Sequence, residues 1–500
     1  MARGRRAASL ALGGTLALAT VVACDSGTTA QDPPSPSTSA SPADPGSGPS
    51  GSGSPQQPVQ LTFAVYGDKD VTAAYRRIAA TFTTQAEQTD VEVTAYPSSV
   101  RLADAVEASA GTGQGPDVFL IDQLQLPRLV AAGALAPLDE ALDERGLHFG
   151  DDFQRSALTT FSADAQLQCM PIEMSPLVVY YNRRLVPRQE LLAQGHEFPR
   201  GADSWSWESF EATARTVAER DLLGPVKGTY LPPSMDLVTA FVRSGGDDVV
   251  DDEGAPTTLT LSGEGAVETL TAIHRLATDR VVSLTPTDLA RRDPVGWFTT
   301  GDLGMLVGTR ADLPRLRAAR GLDFGVVSLP SFGRSTSVSD AVGMCVSADS
   351  DAIGAASDLV AYAVGPRAAR IAAETGELVP SRLDTLSSDA FTEPRLPPRR
   401  HEAFVAGAKR SEPLPYSRVW PEVTATAGER LERLLSPRMA DLGPRALTRR
   451  LGRLDEASRS LFAEGSGEEP TGDPTDARTN GQTDGPTDGP TDDPGEDSAG

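Results

Sequence analysis

Three cysteines, four histidines and several adjacent carboxylates are the side chains of this 500-residue chain with nucleophilic, metal-binding or acid–base chemistry. Their spacing supports none of it. His148, His196, His274 and His401 are far apart, no His-Glu-x-x-His zinc helix occurs, and no Gly-x-Ser-x-Gly elbow presents a serine. Asp247-Asp248 and Asp251-Asp252 stand in glycine-rich turns, where neighbouring side chains diverge. They suit neither a paired acid–base role nor an EF-hand loop, and they read as solvated turns. Cys169 lies in an apolar stretch with no histidine nearby, unlike a catalytic thiolate. Gly111, Gly113 and Gly115 precede a strand instead of following one, which argues against a nucleotide-binding loop. No enzyme, cofactor or metal is expected.

The elements that must position any site alternate between β and α. Val59 to Tyr66 alternates apolar and polar residues, a helical pattern follows through Tyr75, Ile78, Ala79 and Phe82, and Val91 to Thr94 reads as a second strand. A helical stretch from Leu102 to Ala110 leads into Asp117 to Ile121, an apolar run suited to a buried strand, and a helix is expected to end at Gly133. Leu167 to Tyr181 is apolar and β-rich, interrupted by Pro171 and Pro176. Trp205 to Ala218 is expected to be helical with Ser204 as its N-cap. Helices over 264–277 and 355–364 and strands over 304–307 and 324–329 continue the α/β alternation.

The termini differ from this middle. Arg3, Arg5 and Arg6 precede an apolar run from Ala7 to Val22, the order of a secretory signal. The run falls short of the ~20 residues of a membrane-spanning helix. Val21-Val22-Ala23-Cys24 resembles the bacterial lipobox, which implies removal of residues 1–23 and a lipid on Cys24; the alternative is an ordinary signal peptide with an incidental cysteine. Diacylation would supply stable two-chain anchoring. Residues 24–58 are a tether of Pro, Ser and Gly, and residues 465–500 an acidic tail carrying −9 of the formal charge of −24. That balance offers no basic face for nucleic acid. About 405 residues remain for a globular region of two domains. Cys169 and Cys345, in an oxidising compartment, either pair or stay buried as thiols.

Several segments together resemble extracellular solute-binding proteins of family 1, the receptors of ABC importers. They are DVFLIDQLQLPRLVAAGALAPL at 117–138, LQCMPIEMSPLVVYYNRRLVP at 167–187, SWSWESFEATARTV at 204–217, GDLGMLVGT at 301–309, FGVVSLPSFG at 324–333, GMCVSADSD at 343–351 and TGELVPSR at 375–382. LTFAVYGDKD at 61–70 looks similar to maltose- and oligosaccharide-binding members. The resemblance implies a periplasmic-binding-protein-like fold of two α/β lobes closing about strands that cross between them, with the ligand in the cleft. The N-lobe is expected from 59–172 plus 348–392 and the C-lobe from 173–347 plus 393–464. Cys169 and Cys345 then fall on neighbouring hinge strands, where a disulfide is possible.

Holding a polyol takes paired polar side chains and an apolar face. Tyr66, Asp68 and Lys69 end the first strand and match the family's Gly-Asp-Lys position. Asp122, Gln123 and Gln125 follow the buried strand, although Asp122 is also placed to cap a helix. Glu173 and Ser175 fall in the hinge segment, where the family has a ligand-contacting acid. Tyr230 and Trp297 are aromatic candidates that suit the core equally. Arg310 stands where sugar-binding relatives have a Trp; it is either a surface arginine or a ligand-binding group suited to an acidic sugar. The resemblance implies a monomeric, membrane-anchored receptor that takes a carbohydrate to permease subunits. A solute-sensing receptor of the same fold and a degradative exoenzyme are the alternatives.

Overall fold

The computed structural model describes residues 58–466 apart from 87, 151, 221–223 and 225. The expected signal peptide, Cys24, the tether and nearly all of the tail lie outside the described residues. Within this span two sheets form. Strands β1 (Val59–Tyr66), β2 (Thr89–Tyr96), β3 (Val118–Asp122) and β4 (Leu135–Ala136) belong to the first. A small hairpin, β5 (Ser162–Ala163) and β6 (Gln166–Leu167), leads to β7 (Cys169–Pro176). The second sheet is made of β8 (Val178–Asn182), β9 (Lys227–Tyr230), β10 (Leu303–Gly308) and β11 (Phe324–Ser328), before β12 (Ser339–Ser347) returns to the first.

The first sheet runs β2-β1-β3-β12-β4, with β7 alongside β12. β1 is parallel to β2 and β3, whereas β12 is antiparallel to β3, β4 and β7. Val118 to Ile121 are buried throughout, as an interior strand covered on both faces requires. The second sheet runs β11-β8-β10-β9, with β8 antiparallel to both neighbours. Phe63, Phe119 and Phe161 belong to one hydrophobic cluster, and Trp207, Phe210 and Phe241 to another. The first cluster also takes in Tyr180, Leu306 and Phe324 of the second sheet, so the molecule is two α/β lobes joined by shared packing.

The chain crosses from one sheet to the other at Leu177 and returns between β11 and β12. The crossings lie side by side: Leu177 N–H donates to Val338 O at 3.0 Å, and Ser337 Oγ to Leu177 O at 3.2 Å. Two expected boundaries shift in consequence. β12, expected at the end of the second lobe, pairs within the first sheet, and β7 continues in that sheet to Pro176, because the β7–β12 ladder resumes after an irregularity between Val342 and Gly343 and runs on to Ser339↔Pro176 at the crossing. At Cys169↔Cys345 of that ladder the sulfurs are 2.00 Å apart, joined as a disulfide.

One helix start differs from expectation. The helix Trp207–Glu219 is capped by Ser206, whose side chain accepts from Ser209 N, not by Ser204. Trp205 stays outside the helix because its indole donates to Ser328 O at 2.8 Å and its carbonyl accepts from Ser331 N. The turn carboxylates take local roles. Asp247 accepts from Ala266 N, Asp248 pairs with the buried Arg243, and Asp251 and Asp252 accept backbone N–H groups of their own loop.

Candidate ligand-binding cleft

β1 delivers Tyr66 to its carboxyl end, and Gly67 turns the chain there with φ +127; a Cβ at that position would lie 2.8 Å from Val71 Cγ1. The turn sets Asp68 as N-cap of the helix Lys69–Gln85, accepting from Asp70 N and Val71 N at 2.8 and 2.9 Å. Lys69 is exposed in the first turn. Asp68 therefore has a structural role that its sequence position did not reveal.

β3 ends in Asp122, whose Oδ1 accepts from Leu124 N and from the side-chain amide of Gln125. Gln125 is buried holding that carboxylate, and Gln123 donates to Ser339 O at 2.8 Å, tying the loop to β12. Gln123 also lines a 280 Å³ cavity between first-lobe residues, including Pro127 and Thr160, and second-lobe residues, including Pro413 and Tyr416.

The central row crosses three strands. Val342 of β12 pairs with Asp122 on one side and Glu173 of β7 on the other, so these two carboxylates share one face of the sheet. Two residues along β12, Asp340 pairs with Ser175 on that same face. From the second lobe, Asp236 in the first turn of the helix Met235–Gly245 and Asp312 after β10 act electrostatically on Asp340. Glu377, beside Asp68, acts on Glu173. The cleft is a convergence of acids from both lobes.

Its electrostatics follow. Burial, reinforced by Asp340 and Glu377, pushes Glu173 up to about 8. Asp340 remains open to solvent while protein walls it on most sides; that enclosure, then Asp236, Asp122 and Asp312, pushes it up to about 7. Burial and then Asp68 push Glu377 up to about 7. Burial also raises Asp122, Asp236 and Asp312, with hydrogen bonds from Ser99 and Gln125 opposing the effect at Asp122. The Tyr66 hydroxyl is raised well above its ordinary value by burial and then by Asp122 and Glu173.

Three candidates stand elsewhere. Trp297 is 5 % exposed in the first hydrophobic cluster, its indole donating to Asp288 O, so it is core and not a platform. Tyr230 ends β9 and lines a separate 70 Å³ cavity with Leu284 and Glu432. Arg310 is 0 % exposed: it pairs with Glu393 at 3.2 Å, contacts His401 Nδ1 at 3.0 Å and lies over the Phe391 ring. It is a buried structural cation, neither surface arginine nor ligand group. Sequence reasoning missed Asp236, Asp312, Asp340 and Glu377. Asp312 forms a capping box with Thr309, a local signal that conceals its place in the cleft.

Among the described residues no three His, Cys, Asp or Glu side chains gather to hold a metal ion. A cavity of 760 Å³ is lined by Arg430, Arg433, Arg438, Arg450 and Arg453 among others and shares no residue with these strand ends.

A family profile described as bacterial extracellular solute-binding protein matches residues 77–398. The chain belongs to that family. Members of this solute-binding family are extracellular, which puts the chain outside the cytoplasm. Solved structures share the fold at low identity. An ABC substrate-binding protein of Listeria monocytogenes in complex with cycloalternan aligns with a TM-score of 0.66 at 20 % identity, over 83 % of this chain and 100 % of its own. The sugar-binding protein MalE of Xanthomonas citri aligns at 0.69 and 16 % identity, over 81 % and 98 %. The GacH receptor of Streptomyces glaucescens, solved unliganded and with acarbose, aligns at 0.64 and 19 % identity, over 82 % and 100 %.

Proposed function

We propose that this solute-binding protein is the receptor of an ABC importer, that it captures a carbohydrate between its lobes, and that a lipid on Cys24 keeps it at the membrane beside its permease. The observation that carries the reading is the row Asp122, Glu173 and Asp340 at the strand ends of one lobe, facing Asp236 and Asp312 of the other. Such a row offers hydrogen-bonding groups on both sides of a solute. The carbohydrate assignment draws on the cycloalternan and acarbose named for two similar structures and on the sugar-binding name of a third. Closure would be a hinge movement about Leu177 and the 329–338 segment, with the lobes divided at those crossings.

A thermal-shift panel of neutral, amine-bearing and acidic saccharides tests this. A carbohydrate should raise the melting temperature and be recovered intact; at a ligand concentration 100 times Kd the stabilisation is about 2.7 kcal/mol. No shift with any saccharide would overturn the carbohydrate assignment, and turnover of a bound sugar would overturn the receptor role.

A further inference from the structure

The charged groups that act most strongly on Glu173, Asp340 and Glu377 are other acids; at Asp312 the Arg315 guanidinium opposes the effect of burial. The charged groups acting on Asp340 are Asp236, Asp122 and Asp312, those acting on Glu173 are Asp340 and Glu377, and those acting on Glu377 are Asp68 and Asp70. Arg310, the cation that follows β10, is turned into the core against Glu393 and His401, and Arg315 pairs with Asp293. Beside this row sits a second feature. Ser175, directly opposite Asp340 and on the same face, is 3 % exposed, and its hydroxyl has no hydrogen-bond partner among the described residues. A buried hydroxyl without a partner is uncommon in a folded protein, and a ligand group that reaches it restores the lost bond.

We propose that the cleft selects a carbohydrate carrying one or more protonated amines, held between carboxylates of the two lobes. This rests on the carbohydrate-receptor reading above and names the class of sugar. A neutral hydroxyl donates one hydrogen bond and brings no charge to let these acids ionise together. An ammonium donates three, and its charge favours that ionisation where water is partly excluded. Because no three acids converge on one point, the carboxylates are spread as separate receptors, which fits amines distributed along a saccharide better than one metal ion. An acidic sugar, suggested by Arg310 in the sequence, meets like charge here. The high positions of Glu173 and Asp340 are what uncompensated carboxylates in such a place adopt.

The experiment is calorimetric titration of the purified whole protein with paired ligands of the same linkage and length: glucosamine oligomers against their N-acetylated forms, and amino-sugar-bearing aminocyclitols against neutral saccharides. Spermidine serves as an amine without a sugar. The amine member of a pair should bind at least about tenfold tighter, the scale of one charge-assisted hydrogen bond. That preference should shrink in Asp340→Asn and in Glu173→Gln, both of which keep side-chain volume. Equal or tighter binding of the N-acetylated or neutral member would overturn amine selection and leave the carbohydrate reading intact. Binding of spermidine with no saccharide bound would overturn the carbohydrate reading and this inference with it. An unchanged preference in both variants would also overturn the proposal, as would failure of every amine-bearing ligand.

Discussion

Glu173 shows how one side chain's surroundings set its chemistry. Enclosure and neighbouring acids raise it to about 8, so the folded state holds a proton that the unfolded chain releases near pH 4. A carboxyl raised on folding costs stability progressively as pH climbs from the unfolded value through the folded one, and the cost is then constant. Glu173→Gln should therefore match the parent protein in stability near pH 4, gain on it up to about pH 8, and hold a constant advantage above that. Urea unfolding of both proteins across that range measures the difference, and a pH-independent difference would refute the argument. Comparing the two proteins is needed because His401, lowered to about 3 by burial and then by Arg310, makes its own contribution below pH 6.5. Arg310 illustrates the converse. Its residue type suggested ligand recognition, and its position between Phe391, Phe404 and Glu393 makes it part of the packing.

β7 and β12 carry the decisive groups and also the disulfide. Cys169–Cys345 closes the start of β7 onto the end of β12, while Glu173, Ser175 and Asp340 lie at the other end of the same ladder, next to the crossings. The bond joins residues 176 apart in sequence, so reduction should destabilise the protein by roughly 2–5 kcal/mol. Denaturant unfolding with and without reductant measures this; finding both thiols free in the unreduced, unfolded protein would remove its basis. Strand and helix positions were largely legible because their signals are local. Val59–Tyr66 alternates, Val118–Ile121 is a short apolar run, and the helix expected over 264–277 forms at Glu264–Ala277. The Ser204/Ser206 choice was not legible, since both serines are competent caps and only the pairing of Trp205 with Ser328 and Ser331 decides between them.

At the scale of the molecule, the two lobes share part of one hydrophobic cluster beside the crossings, and the second lobe adds a cluster of its own. The proposed lipid on Cys24 would add a fixed address to the proposed hinge movement without entering the cleft. Replacing Cys24 with Ala should release the protein from the membrane fraction with ligand affinity unchanged. Fractionation followed by titration checks it, and retention at the membrane would refute the lipid anchor. Sequence alone determined the family segments, the α/β alternation, the overall acidity and the strand ends at Tyr66 and Asp122, because each is written in residues close together along the chain. Tertiary structure alone decided that Arg310 and Trp297 belong to the core and that Asp236, Asp312, Asp340 and Glu377 face the same space as Glu173. Those groups come from segments more than 200 residues apart at the extremes, and a carboxylate's role depends on which charges, walls and dipoles the fold brings beside it.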